Sequence, residues 1–165
     1  MPVFRPRYRF GSIMEITPEF MKEHSLKAAV LDVDNTLAVY EQQTPAKGVP
    51  EWIDLMKEIG IRCIIVSNND EERVAPFAEQ VGLPFITKAG KPLGSGIRKA
   101  CAATGTKPSE TVMIGDQIFT DILGGNLHGL PTVLVEPFEL ETSRFFRLKR
   151  WLERRIVKRK EGDGE

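Results

Sequence analysis

Cysteine is scarce in this chain, with two in 165 residues. Cys63 and Cys101 belong to no C-x-x-C pair, which argues against a disulfide-stapled scaffold and leaves two reduced thiols. The two histidines, His24 and His128, lie far apart and at no zinc-ligand spacing, so both read as surface or structural groups. No run approaches the roughly 18 consecutive apolar residues of a membrane span. The N-terminus lacks the apolar core of a signal peptide, so a cytoplasmic setting is expected. Internal repeats are absent. Neither sign of charge is in excess, with 23 Lys and Arg against 23 Asp and Glu. What is present, 41% apolar and 28% charged residues, is ordinary for one globular domain with a real core.

The neutral total conceals a polarity. Arg5, Arg7 and Arg9 give the first ten residues +3, and residues 144–160 hold nine Lys or Arg against Glu153 alone, or +8. The rest of the chain must therefore carry −11. An acidic body with two basic ends is a pattern that calls for an explanation.

Hydrophobic periodicity predicts alternating strands and helices. Pro2 and Pro6 argue against helix in the first ten residues. Thr17-Pro18 reads as a cap and first turn of a helix near 18–24. Strands are expected at 27–34, 61–67, 84–87, 111–115 and 131–135. Between them, helices are expected from Pro50 to about 59, over 70–81 with Asn69 as cap and Glu72 reaching back, from Pro92 to about 104 with Gly105 ending it, and over 119–127. This order implies an α/β fold of three layers, a Rossmann-like parallel sheet with helices on both faces. Its parts are an N-terminal basic arm and short helix (1–26), a catalytic core (27–137) and a basic amphipathic C-terminal helix (141–160), within a single domain of 1–165.

Ligands of an open parallel sheet bind at the carboxyl ends of its strands, and four segments deliver chemistry there. Val30-Leu-Asp-Val-Asp-Asn-Thr-Leu37 ends an apolar strand in Asp32 and Asp34. Two acids so close repel and are desolvated unless a cation or a reaction employs them. One can serve as nucleophile, the other as proton carrier, and both as part of a hard-metal site. The plain alternative is a strand end and an Asx-type turn. A second strand ends in Ser67-Asn68-Asn69. Lys91 stands just ahead of a predicted helix. A third strand ends in Gly115-Asp116, with Asp121 five positions on. Gly94 and Gly96 look superficially like a phosphate loop, but Pro follows Gly90-Lys91 where Ser or Thr belongs, so a nucleotide P-loop is rejected.

The D-x-D-x-T, strand-end Ser, Lys and G-D-x4-D segments, in that order, resemble the haloacid dehalogenase superfamily of phosphohydrolases. The resemblance implies that Asp32 is the nucleophile forming an aspartyl-phosphate. Asp34 is then the general acid and base. Ser67, Asn68 and Lys91 bind phosphate, and Lys91 also balances charge on phosphorus. It further implies a Mg²⁺ ion held by the Asp32 carboxylate, the Asp34 carbonyl and the Asp116 carboxylate, with Asp121 as ligand or support. Thirty-five residues separate Asp32 from Ser67 and 24 separate Ser67 from Lys91. Neither interval has room for a cap domain, so an open site is expected. Asp34-Asn-Thr-Leu37, Ser67-Asn-Asn69, Lys91-Pro-Leu93, the 115–126 run and the Ile16-Thr-Pro-Glu-Phe20 opening look like the class IIIA, YqeG-type branch. That branch includes phosphatidylglycerophosphate phosphatases. The implied reaction removes a terminal phosphate from that lipid. Gly90 and Leu127 stand where the branch often has basic residues.

The tail is consistent with a lipid substrate. Phe145, Leu148, Leu152 and Ile156 share one face of a helical wheel, with Phe146 and Trp151 at its margins. Arg147, Arg150, Arg154 and Lys158 share the opposite face. Such a helix can lie on an anionic membrane, each basic residue contributing on the order of 1 kcal/mol, and it can equally pack on the domain. The expected partners are a phospholipid headgroup and, through 144–160 and the N-terminal arginines, the inner face of a membrane. Nucleic acid is a disfavoured use of the same charges. A soluble phosphatase for a sugar, nucleotide or protein phosphate, and a non-catalytic binding module on the same fold, are the alternative functions.

Overall fold

Six parallel strands in the order β1-β6-β5-β2-β3-β4 form the sheet in a computed structural model of the protein, which describes residues 2–39, 42–138 and 151–155. The strands are β1 (Tyr8–Phe10), β2 (Ala28–Leu31), β3 (Arg62–Val66), β4 (Phe85–Ile86), β5 (Thr111–Gly115) and β6 (Thr132–Val135). β2 is central, with Leu31 opposite Ile65 of β3 on one side and Ile114 of β5 on the other. The chain runs from β2 through β3 and β4 in one direction, then returns to β5 and β6 in the other. This reversal opens a crevice at the carboxyl end of β2, where such sheets bind ligands.

Side-chain alternation divides the core between two faces. Ala29, Leu31, Ile65 and Ile114 pack with α1 (Pro18–Glu23), α2 (Val49–Glu58) and α3 (Glu71–Val81). Val30, Ile64, Val66 and Met113 pack with α4 (Gly96–Thr104). α5 (Leu123–Leu127) lies on the same side as α4, where a Cβ on Gly125 would meet Met113 and Thr132. Strands buried on both faces explain why each core segment reads as a continuous apolar run. Cys63 and Cys101 are free and buried, and burial raises both thiols, Cys63 to about 12.

Several elements differ from the expectations. The first ten residues yield an edge strand, β1, beside β6, with Tyr8 opposite Val133. Tyr8 and Phe10 stack edge-on against Phe20, and the Tyr8 hydroxyl meets His24 Nδ1 at 3.0 Å. Thr17 caps α1 as expected, its Oγ1 accepting the Phe20 amide. Asn69 does not cap α3. Asp70 takes that position without a side-chain cap bond, because the Asn69 amide is engaged in the crevice. α4 begins at Gly96 rather than at Pro92. In between, the chain folds back on itself, with the Gly94 amide donating to Gly90 O and the Gly96 amide to Ala89 O. The helix expected at 119–127 starts with a π-type turn, Ile118–Ile122, before α5. Of the expected 141–160 helix, only 151–155 lie within the described residues, and these are helical.

Phe77, 1% exposed, is among the largest buried side chains, whereas Leu93 is 80% exposed. Phe77→Ala is expected to lower unfolding free energy by about 3–5 kcal/mol and Leu93→Ala by less than about 0.5 kcal/mol in urea titrations. Equal losses would contradict this packing.

Candidate active site

The sheet's centre delivers its acids as the chain leaves regular structure. The Asp32 amide still bonds Ile114 O, but the chain then turns sharply, and the amides of Thr36, Leu37 and Ala38 all converge on Val33 O. Asn35 takes a left-handed backbone (φ 59°), which asparagine tolerates better than most residues. On the neighbouring strand, β5 ends at Gly115 and Asp121 returns from the π-type turn. Its carboxylate occupies the space a Gly115 Cβ would fill, so only glycine permits this approach. Asp32, Asp116 and Asp121 thereby bring carboxylate oxygens within 4.8 Å of one another.

Lys91 enters this acidic cluster from a loop built for close approach. Gly90 has φ 69°, and a Cβ there would lie 3.1 Å from Gly94 Cα. That tight contact and the left-handed backbone give a physical reason for glycine at this position. Lys91 Nζ lies 2.7 Å from Asp121 Oδ1 and 3.0 Å from Asp32 Oδ1, fully enclosed. Asn68 fixes the lysine from behind, its Oδ1 accepting the Lys91 amide at 2.8 Å and its Nδ2 donating to Lys91 O at 3.1 Å. Both bonds are made by the Asn68 side chain, and neither uses its backbone amide, the donor beside Ser67 expected to face phosphate. Ser67 is buried beside it, its Oγ accepting the Asn69 amide. The helix expected to begin at Pro92, just after Lys91, opens four residues later as α4, so its N-terminus is not at the lysine.

Asp34 faces a different set of partners. Its Oδ1 accepts from Arg73 at 2.9 Å and its Oδ2 from Asn69 Nδ2 at 3.0 Å. The structure thus adds Asn69 and Arg73 to the residues anticipated from sequence. Their signal was the polar Ser67-Asn-Asn69 strand end and the basic residue in the first turn of the helix after it.

Charge is unbalanced in the crevice. Burial pushes the Asp32 carboxyl up to about 7, helped by Asp121 and opposed by Lys91. Burial works against the charge of Lys91, but Asp121 and Asp32 outweigh it and hold the ammonium above the ordinary lysine range. Three clustered carboxylates against one ammonium leave a net negative oxygen-lined site, the donor set that suits a hard divalent cation.

Two outcomes follow. With metal chelated, an unfolded chain ionises its aspartates near pH 4 while folded Asp32 retains its proton to about 7. The folded state binds the extra proton in that window, so Asp32 lowers stability as pH rises from 4 to 7. Asp32→Asn is expected to flatten this dependence and to stabilise the metal-free protein at pH 8 by on the order of 1–4 kcal/mol. Denaturant titrations at pH 4.5 and 8 check it, and equal destabilisation at both would contradict the charge balance. Gly115→Ala is expected to cost about 1–3 kcal/mol by overpacking against Asp121, read as a lowered unfolding midpoint.

Comparisons agree with this geometry. A family profile for haloacid dehalogenase-like hydrolases matches residues 8–129. The chain is 42% identical over 154 residues, 93% of its length and 90% of the relative's, to "Probable phosphatase YqeG" of Bacillus subtilis (strain 168). It is 29% identical over 141 residues to the chloroplastic phosphatidylglycerophosphate phosphatase 1 of Chlamydomonas reinhardtii, covering 80% of this chain and 52% of that protein. The chain therefore spans about half the length of that algal relative. In fold, it superposes on 3-deoxy-D-manno-octulosonate 8-phosphate phosphatase of Moraxella catarrhalis, solved with magnesium and phosphate, with TM-score 0.53, 18% identity, and 73% and 75% of the two chains covered. The profile covers most of the chain, including the strands that form the crevice, and the chain belongs to the haloacid dehalogenase-like hydrolases.

Proposed function

We propose that this protein is a Mg²⁺-dependent phosphatase acting on phosphatidylglycerophosphate. The observation that carries the chemistry is the buried Asp32–Lys91–Asp121 contact beside Asp116, with Asp34 oriented separately by Arg73 and Asn69. One acid is held desolvated against the Lys91 ammonium and the other at the margin of the crevice, as two successive roles require.

In the first step an Asp32 carboxylate oxygen attacks phosphorus as the bond to the leaving oxygen breaks, and Asp34 gives that oxygen a proton. In the second, Asp34 takes a proton from water, whose oxygen attacks phosphorus and restores the Asp32 carboxylate. Lys91 offsets negative charge on the phosphoryl oxygens, and Asn68 keeps its ammonium in place. Ser67 lies at the adjacent strand end to contact phosphate. The Asp32, Asp116 and Asp121 carboxylates, with the Asp34 carbonyl, would hold Mg²⁺, which supplies Lewis-acid neutralisation between carboxylate and phosphate.

The substrate assignment has three supports. Two relatives carry the name phosphatidylglycerophosphate phosphatase, the second, from Arabidopsis thaliana, 29% identical over 93% of this chain and 47% of its own. Among the described residues, no domain is inserted between β2 and β3 or between β3 and Lys91, leaving the crevice accessible to a headgroup at a surface. The described parts of both basic ends, residues 2–10 and 151–155, contact the segment after Asp116. Phe4 stacks edge-on against Phe119 at 5.7 Å, and Asn126 Nδ2 donates to Val3 O and Arg5 O. Trp151 and Leu152 are exposed beside Arg154 and Arg155, a composition suited to an anionic interface. Among the described residues, no helix is long and apolar enough to cross a membrane, so contact would be peripheral.

Phosphate release from phosphatidylglycerophosphate in mixed micelles, with and without Mg²⁺, tests this reading against a soluble phosphomonoester. Lipid turnover is expected to require Mg²⁺ and to fall roughly 10³-fold or more in Asp32→Asn. Turnover confined to the soluble ester would discard the lipid assignment, and unaltered turnover in the variant would discard the mechanism.

A further inference from the structure

The short helical turn at 151–155 is buried the wrong way round for an amphipathic helix. Trp151 and Leu152 are 43% and 42% exposed, while Glu153 is 4% exposed. Glu153 is also the one acid among the nine basic residues of 144–160. A helix docking by its apolar stripe would hide Leu152 and leave a glutamate in water. Here the carboxylate points inward, and its Oε1 accepts the amide of Ile118 at 3.2 Å in a buried contact.

Ile118 opens the π-type turn that returns Asp121 to the crevice. The preceding Gln117 has extended backbone (φ −111°, ψ 124°) and provides no side-chain cap, so the first amide of the run takes its acceptor from 35 residues away. The neighbouring bonds lead directly to the acids. The Gln117 amide donates to Asp121 Oδ2 at 3.3 Å, Gln117 O accepts the amides of Asp121 and Ile122, and Asp121 Oδ1 receives Lys91 Nζ. A shift at Ile118 therefore moves the turn that sets Asp121 against Asp32 and Asp116.

We propose that Glu153 is a positioning residue: carried in by the C-terminal chain, its carboxylate holds the Ile118 amide and thereby fixes the Asp116–Asp121 segment. The proposal rests on the reading of those acids as a cation site, and it links residues 151–155 to the Asp116–Asp121 segment through the hydrogen bond to Ile118.

The test uses the full chain and Mn²⁺ as probe, with calorimetric binding and amide hydrogen exchange measured in parallel. Glu153→Ala is expected to weaken Mn²⁺ at least fivefold and to speed exchange across 117–122 tenfold or more. Glu153→Gln, which keeps an acceptor oxygen, is expected to stay within twofold of the parent on both. Glu153→Ser, too short to reach Ile118, is expected to match the alanine variant and replaces it if that variant does not fold. Parental Mn²⁺ affinity and parental exchange in the alanine or serine variant would overturn the proposal, as would a glutamine variant as impaired as alanine. If the parent itself binds no Mn²⁺, the cation reading fails, and the exchange arm alone decides: faster exchange at 117–122 upholds the positioning role and unchanged exchange overturns it.

Discussion

A single buried ammonium, Lys91 Nζ, is shared by carboxylates that arrive after two neighbouring strands, and the local architecture is arranged around keeping it there. Removing this ammonium would leave the carboxylates around it charged and desolvated, a loss that typically costs several kcal/mol. The loop of residues 88–94 must therefore reach the crevice. It does so by a backward fold in which Gly90 and Gly94 nearly touch and Asn68 grips the lysine's backbone on both sides. Gly115 meets the same need on the other flank by yielding the volume that Asp121 fills. Even so the ammonium does not neutralise the cluster. Burial, with Asp121 adding to it, raises the Asp32 carboxyl toward neutrality, and the residual negative charge makes the site suited to a hard cation.

The second acid is governed by a separate constraint. Asp34 is two residues from Asp32, yet the turn after β2 directs it to Arg73 and Asn69, at the start of α3. Two carboxylates from one short motif thus experience different environments, one enclosed with Lys91 and its fellow acids, the other at the margin on a part-exposed arginine. Unequal environments are how a pair of identical groups acquires different tasks. The parallel sheet supplies this economically. Its strand order reverses at β2, so the loops after β2, β3 and β5 meet at one edge while the apolar runs behind them stay buried on both faces.

Much of this was legible in the sequence, and the exceptions have physical causes. Apolar runs ending in Asp32, Ser67 and Asp116 marked the three central strands, because a parallel strand buried on both sides needs an unbroken apolar stretch. β1 was hidden because three residues with mixed burial on a sheet edge leave too weak a pattern. Asn69 has the composition of a helix cap, but the Asp34 carboxylate 3.0 Å away claimed its side-chain amide. Pro92 has the composition of a helix start, but close packing of the preceding glycines delayed α4 to Gly96. Of the site, the acids and the lysine could be read in order. The grip of Asn68 on Lys91 and that of Arg73 on Asp34 could not, since both depend on distances across the fold. Glu153 was least accessible, as a lone acid in a basic amphipathic tail carries the pattern of a solvated residue.

The central claim is that Asp32 attacks phosphorus. Rapid acid quench during turnover, followed by borohydride reduction and peptide mass mapping, reads it directly, because reduction converts an aspartyl-phosphate to homoserine. The account predicts homoserine at position 32 and nowhere else among Asp34, Asp116 and Asp121. Homoserine at another of these positions, or turnover with aspartate intact at all four, would contradict it.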